Sequence, residues 1–313
     1  LRGWGPMNYK GDPTAAATPC MPYRTVADNS KQPLRTAEQV LDLILDDLKS
    51  AKQLMSYEAK KTLTSNDGQN RRFRFNYHAI NAVMARVYCY MGKAEEAITC
   101  AQDVIDHCGL ELQSANSSDP ILFNEVLCGL YLYEMEKNLS AFWSDGDKLT
   151  TQYFSKVSTF NTLFNATSGS TNDIRYRTVK RYATEQVQSL KYIKNENEVV
   201  PLIRLPEMYY ILCEMKALSD SEAKLNEVRH KRGYPASEDE HFKTEADRIK
   251  ALNREYRKEF YAEGQYYFFL KQHPTAPVEH FNEVTLGKAQ YVFPLPDAEK
   301  EYGWTADSEE NQE

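Results

Sequence analysis

The chain has 313 residues, enough to bury a large core in one large or two smaller domains. Its 38 Lys and Arg against 45 Asp and Glu leave a net charge of −7, which argues against a nucleic-acid binder, since displacing counterions from phosphates needs a basic face. No window approaches the roughly 18 consecutive apolar residues of a membrane-spanning helix, and the opening LRGWGPMNY shows no signal peptide and reads as the interior of a domain.

Residues 1–35 are rich in Pro, Gly, Thr and Asn and read as an irregular arm, with Trp4 and Tyr9 as candidate ligand-contacting rings. Residues 36–136 read as helical. Thr36 caps the first helix, with Gln39 three residues on completing a capping box. Ala37, Val40, Leu41, Ile44, Leu45, Leu48, Ala51 and Met55 form one apolar stripe at helical spacing, opposite Asp42, Asp46, Lys49 and Lys52. Asn76 to Met91 and Ala94 to His107 then form a helical pair about the turn Gly92–Lys93. Ala85, Tyr88, Gly92 and Ala97 fall at the small/Tyr/Gly/Ala spacing of a tetratricopeptide repeat, whose small residues let two helices approach closely. One such pair is too little for a self-sufficient solenoid, so it must stack on other helices.

Residues 138–199 form a loop-rich insert of Ser, Thr, Asn and aromatics with several short β-prone runs. Long loops of this kind in a helical scaffold carry function or mobility. Phe142–Asp147 is the most suggestive constellation: Trp143 can stack on the apolar face of a sugar ring while Asp145 and Asp147 accept its hydroxyls. Tyr153, Phe154, Phe160 and Phe164 can extend that platform, and the alternative is a loop that folds its rings back onto the scaffold. A calcium loop is a poor fit to Asp145 and Asp147, because the other oxygen ligands are not correctly spaced.

Residues 200–313 return to helix and end in a closing strand. Leu205–Leu218 and Ser221–Arg232 form a second pair, with Pro206 in the first turn and Gly233 as the stop. Ile249, Leu252, Tyr256 and Phe260 give the next helix its apolar face. The run from Arg254 to Lys271 carries Glu255, Glu259 and Glu263 on one stripe, interleaved with Arg254, Arg257 and Lys258. It passes Tyr261 and Gly264 into four successive aromatics, Tyr266–Phe269. Three carboxylates on one helix with basic neighbours read as a helix–helix ion-pair set, since glycosidase carboxylates usually come from different elements across a cleft.

Chemistry-bearing motifs are otherwise missing. The six cysteines contain no C-x-x-C, and Cys89, Cys100, Cys128 and Cys213 sit among apolar residues of expected helices, where Cys behaves as a small hydrophobe. The six histidines form no paired ligand motif, and no nucleophile elbow, phosphate loop or dinucleotide fingerprint occurs. No cofactor is implied, and the residues favour a binding protein over an enzyme.

TAEQVLDLILDDLKSAKQLM (36–55), RFNYHAINAVMARVYCYMGKAEEAITCAQDVI (74–105), NEVLCGLY (124–131), NDIRYR (172–177), PLIRLPEMYYILCEMKAL (201–218) with LNEVRHKRGYP (225–235), the Arg254–Lys271 run and YVFPLPDAEKEYG (291–303) follow one another along the chain. In this order they resemble the SusD/RagB family of bacterial surface nutrient-binding lipoproteins. Its helix before the first repeat, tetratricopeptide pair, E-x-I-F segment, Asp-x-Arg-aromatic element, later helices and terminal strand occupy these places. Some positions depart from the pattern: Tyr256 and Gln265–Tyr266 break the usual E-R and E-G-x-R, Phe269 replaces an Asp, and the late Asn-Pro is missing. Such changes mark a divergent member in which aromatic packing replaces an ion pair.

The resemblance implies a mostly α, tetratricopeptide-like helical-repeat scaffold with long irregular loops and a few short strands, in a single domain over 1–313. It also implies a non-enzymatic subunit that captures oligosaccharides or other oligomeric nutrients for a SusC-like TonB-dependent transporter, at the cell surface of the outer membrane of a Bacteroidetes-type bacterium. Membrane attachment would be only through an N-terminal lipid upstream of this chain, since family members are longer there and none of the six cysteines lies at a processed start. The competing reading is a helical-repeat module that binds a peptide or protein without binding glycan.

Overall fold

The structure is a computed structural model that describes residues 1–28, 32–64, 71–143, 152–166, 171–183, 185–193, 195–276, 278, 286–298 and 305–306. Strands β1 (Pro19–Pro22) and β2 (Gln32–Thr36) pair antiparallel and lead into α1 (Ala37–Leu54). Thr36 and Gln39 form the expected capping box, and Ala37, Val40, Leu41, Leu45 and Leu48 are the buried stripe.

Helices α2 (Tyr77–Met91) and α3 (Ala94–His107) form the tetratricopeptide-like pair. Asn76 caps α2 through its side-chain oxygen, which accepts from Ala79 N at 2.9 Å, and its amide donates to Leu127 O at 2.9 Å. One residue thus starts the helix and ties down the strand β3 (Val126–Tyr131). Ala79, Ala82, Ala85, Ala97 and Ala101 are fully buried, which is what close approach of the two helices requires. Gly92 ends α2 at φ +74°, a left-handed conformation that a residue with a Cβ adopts only at a cost.

Strand β3 pairs antiparallel with β7 (Val199–Arg204), which runs directly into α6 (Leu205–Met215). Helix α6 packs on α3 on one side and on α7 (Leu218–Lys231) on the other, which makes it the spine of the core. The expected ends of this pair shift: α6 stops at Met215 and α7 begins at Leu218. Arg248, on the next helix, donates to Cys213 O and Lys216 O and so takes up carbonyls that a longer α6 would use.

The Arg254–Lys271 run is two helices, α8 (Glu245–Glu259) and α9 (Gln265–Gln272). Ala262 at φ +65° and Gly264 at φ +75° break the helical path between them. Tyr256 stacks on Phe269 at 4.6 Å, so the aromatic block of α9 folds back onto α8. The sequence expectation of a strand at 291–303 is corrected over its described part. Tyr291 ends the short helix α10 (Lys288–Tyr291), and 292–298 form no strand. Pro294 and Pro296 lack the N–H that a ladder needs. A short strand β8 (Thr305–Ala306) instead pairs in parallel with β2. Cys128 lies on β3 rather than on a helix, although it is buried as expected.

A single turn, α4 (Met135–Asn138), leads into the insert. The insert then builds a three-stranded sheet, β4 (Ser155–Lys156), β6 (Gln186–Ser189) and β5 (Val179–Tyr182), with α5 (Val157–Leu163) beside it. Phe160, Leu163, Phe164, Tyr176, Val179 and Val187 form its own small core.

Candidate ligand-binding face

Beneath the insert lies a buried ionic network. Glu259 on α8 is 1% exposed and receives Arg204 at 2.7 Å, Arg232 at 3.0 Å and Arg175 at 3.0 Å. Glu255 receives Arg175 at 2.8 Å and Arg229 at 3.0 Å, while Arg232 also pairs with Glu125 at 2.7 Å. Lys191 pairs with Glu263 and donates to Glu259 O at 3.1 Å. The stripe is therefore an ion-pair set, as its spacing and basic neighbours implied. Its partners come from the insert (Arg175, Lys191), from β7 (Arg204) and from the end of α7 (Arg229, Arg232). Burial alone would raise the Glu255 carboxyl, but Arg175, Lys258 and Arg229 overcome it and hold it down at about 2. Glu259 is likewise held well below the usual range against its burial by Arg232, Arg204 and Arg175. Carboxylates so enclosed cannot meet a substrate. Their role is to bolt the insert to the helices.

Above this base the insert presents rings. Leu139 O accepts from Phe142 N at 2.9 Å and from Trp143 N at 2.8 Å, a turn that places the two rings side by side in sequence. Tyr153 N donates to Phe142 O at 3.1 Å and brings its own ring onto the same face. Phe142 and Tyr153 stack at 5.6 Å with 22° between their planes, and Trp143 meets Tyr153 at 5.5 Å and Tyr192 at 4.9 Å. Tyr192 is buried and donates to Ala262 O at 2.8 Å, which fixes this patch to the α8–α9 junction. Phe142 is 46% and Tyr153 59% exposed, and Trp143 is half-buried. The rings support one another from the side and leave area to water.

A second group flanks it at the end of β3. Tyr131 meets Phe73 edge-on at 6.0 Å and donates to Glu198 Oε2 at 2.9 Å, and Tyr133 is largely exposed. Glu198 also accepts from Met135 N at 3.3 Å, which joins this group to α4 and so to the turn bearing Phe142 and Trp143. Glu134, Glu136, Lys137, Ser140 and Glu198 line a polar cleft of about 510 Å³ here. Glu134 and Glu198 both hold φ +49°, an uncommon conformation for residues other than glycine that often marks functional segments. Exposed rings such as Tyr131, which is bonded to Glu198 of the cleft, can stack on a sugar's C–H face, while carboxylates, an ammonium and a hydroxyl can hydrogen-bond its hydroxyls.

Of the residues expected from sequence, Trp143 and Tyr153 come together. Asp145 and Asp147 lie outside the described residues. Phe154 turns to the insert's sheet and meets Tyr182 edge-on at 5.4 Å. Trp4 packs edge-on against Phe293 at 6.1 Å, and its indole N–H donates to Pro294 O at 3.2 Å. Tyr9 lies against Tyr90 at 5.0 Å. These two rings of the arm hold it onto the scaffold. Sequence reasoning missed Tyr131, Tyr133, Phe73, Tyr192 and Glu198. The alternation of Tyr131, which ends β3, and Tyr133 was the available signal, since alternate residues of extended chain share a face.

Comparison with known proteins follows the same lines. Residues 55–310 match the model of the SusD family. A solved SusD superfamily protein from Bacteroides thetaiotaomicron superposes with a TM-score of 0.74 at 18% identity, covering 96% of this chain and 72% of that one. A SusD-like carbohydrate binding protein from Bacteroides vulgatus gives 0.67 at 16% identity, covering 100% and 76%. Surface glycan-binding protein A from Bacteroides uniformis gives 0.62 at 15%, covering 90% and 71%. No curated protein sequence matches. At these identities the structural likeness establishes the shared fold, a mostly α, tetratricopeptide-like scaffold.

Proposed function

The chain belongs to the SusD family, and from that premise we propose that it is a non-enzymatic, surface-exposed subunit that binds a glycan at the ring face of its insert. The observation that carries this reading is the ring set of Phe142, Trp143 and Tyr153, exposed at Phe142 and Tyr153, in which Phe142 and Trp143 follow within three residues of Ser140 in the lining of the polar cleft at Glu198. Stacking supplies affinity without reading a particular sugar, and the carboxylates and Lys137 select among hydroxyl patterns. Asp145 and Asp147, two and four residues after Trp143 in the sequence, are proposed to add acceptors. Captured oligosaccharide passes to a SusC-like TonB-dependent transporter in the outer membrane, with the α2–α3 face as the transporter contact. Among the described residues no helix is long and apolar enough to cross a membrane, and attachment through a lipid upstream of this chain fits the family.

Calorimetry against a panel of soluble glycans tests the proposal, followed by Trp143→Ala with whichever glycan binds. Unchanged affinity in that variant removes the ring face from the site. The tetratricopeptide-like pair α2–α3 supports the second reading, a peptide- or protein-binding module. A partner that co-purifies stoichiometrically while no glycan binds would favour it.

A further inference from the structure

Charge is spread unevenly along the chain. Residues 49–75 hold seven Lys and Arg against two acids, a net +5 within a chain of −7. Of those acids, Glu58 is buried and paired with Arg71, and Asp67 lies outside the described residues. The fold draws this stretch onto one flank, where the end of α1 and the turn after it meet the start of α2. Lys61 O accepts from His78 Nε2 at 2.8 Å, and the Lys52 ammonium lies 5.7 Å over the Tyr77 ring. Large apolar side chains stand in solvent among the cations. Leu54 is 78%, Tyr57 66% and Phe75 47% exposed, and Lys60, Lys61 and Arg74 are exposed close to them in the sequence. The Lys61 ammonium lies 5.7 Å over the Tyr57 ring, so cation and ring share one surface.

Lysines alone would make an ordinary solvated surface, but Leu54 and Tyr57 change the reading. A hydrated polyanion offers an aliphatic side chain nothing. The headgroup boundary of a bilayer takes up apolar tips and places lipid phosphates against the cations around them. We propose that this flank, centred on Leu54, Tyr57, Lys60 and Lys61, docks on an anionic lipid surface. The two apolar side chains enter the acyl boundary and the lysines meet the phosphates. The acidic remainder of the chain is repelled by the same surface, so the charge asymmetry also sets which side faces the bilayer. The contact uses none of the insert's rings and stands or falls independently of glycan binding.

Flotation of the chain with phosphatidylcholine vesicles, with and without a third of phosphatidylglycerol, tests it. The expected result is binding to the anionic vesicles alone, weakened by added salt through screening. Lys60→Gln combined with Lys61→Gln should lower the partition coefficient about 25-fold, about fivefold for each lysine. Leu54→Ser should lower it about tenfold. These side chains are exposed, and an unchanged urea midpoint verifies that each variant folds. Anionic-vesicle binding that survives Leu54→Ser would be adsorption of a basic patch to any polyanion and overturns the lipid reading. Equal binding to neutral vesicles overturns it too. Binding to neither kind does the same and leaves the flank to an acidic protein partner.

Discussion

The carboxylates of α8 and the rings of the insert are joined through the neighbouring residues Lys191 and Tyr192, yet they meet water in opposite ways. Glu255 and Glu259 are sealed among guanidinia, while Phe142 and Tyr153, the less polar groups, stand in solvent. Desolvation explains the division. A charged network is stable inside only when every member is paired, so it is closed and serves to position. Aromatic rings tolerate exposure cheaply and gain when a ligand's C–H surface covers them, so they can serve to bind. In this molecule, reactivity by residue type is a poor guide to function, and accessibility is a better one.

The sharpest way to break this comparison is Glu259→Ala. It would leave Arg175, Arg204 and Arg232 buried without their shared carboxylate, at a cost of about 3–5 kcal/mol. Urea denaturation reads the loss, and a variant as stable as the parent would show that the network does not hold the fold. Acid should act next most strongly. The Glu255 carboxyl is depressed to about 2 in the folded chain, against about 4.3 when unfolded. Its contribution is therefore complete above about pH 4.5 and is lost as pH falls towards 2, about 3 kcal/mol in all. Denaturation midpoints that stay flat across that interval would contradict the pairing.

Trp143→Ala works on the other region. Affinity for a bound glycan should fall about 10- to 100-fold, with urea stability changed far less than in Glu259→Ala. Comparable losses of stability in the two variants would erase the distinction between a base that positions and a face that binds. The smallest effect is expected at Gly129, in the β3–β7 pair that connects the two regions. A Cβ there would sit 2.4 Å from Val199 Cγ1, so Gly129→Ala should cost about 1–2 kcal/mol through overpacking. Thermal unfolding checks this, and glycan affinity measured below the transition should be retained.

Local physics made much of this molecule legible from its residues alone. Thr36 with Gln39, Asn76, and Gly92 mark helix ends because capping and left-handed geometry are properties of a few neighbouring residues. The spacing of Ala85, Tyr88, Gly92 and Ala97 announced a close helical pair, and the order of segments announced the family. The three glutamates of 255–263 pointed to ion pairs through their spacing and their basic neighbours.

Tertiary structure alone decided where those pairs lead. Arg175, Arg204 and Arg232 lie 84, 55 and 27 residues from Glu259, and no local pattern links them. It also decided what each ring packs against. Trp4 and Trp143 are the same residue type in equally irregular segments, but Trp4, 36% exposed, meets Phe293 and Pro294 from the far end of the chain, whereas the half-buried Trp143 rests on Tyr192 beside the exposed Phe142 and Tyr153. The neighbours of a ring depend on what the rest of the chain brings to it, and that is settled only when distant segments pack.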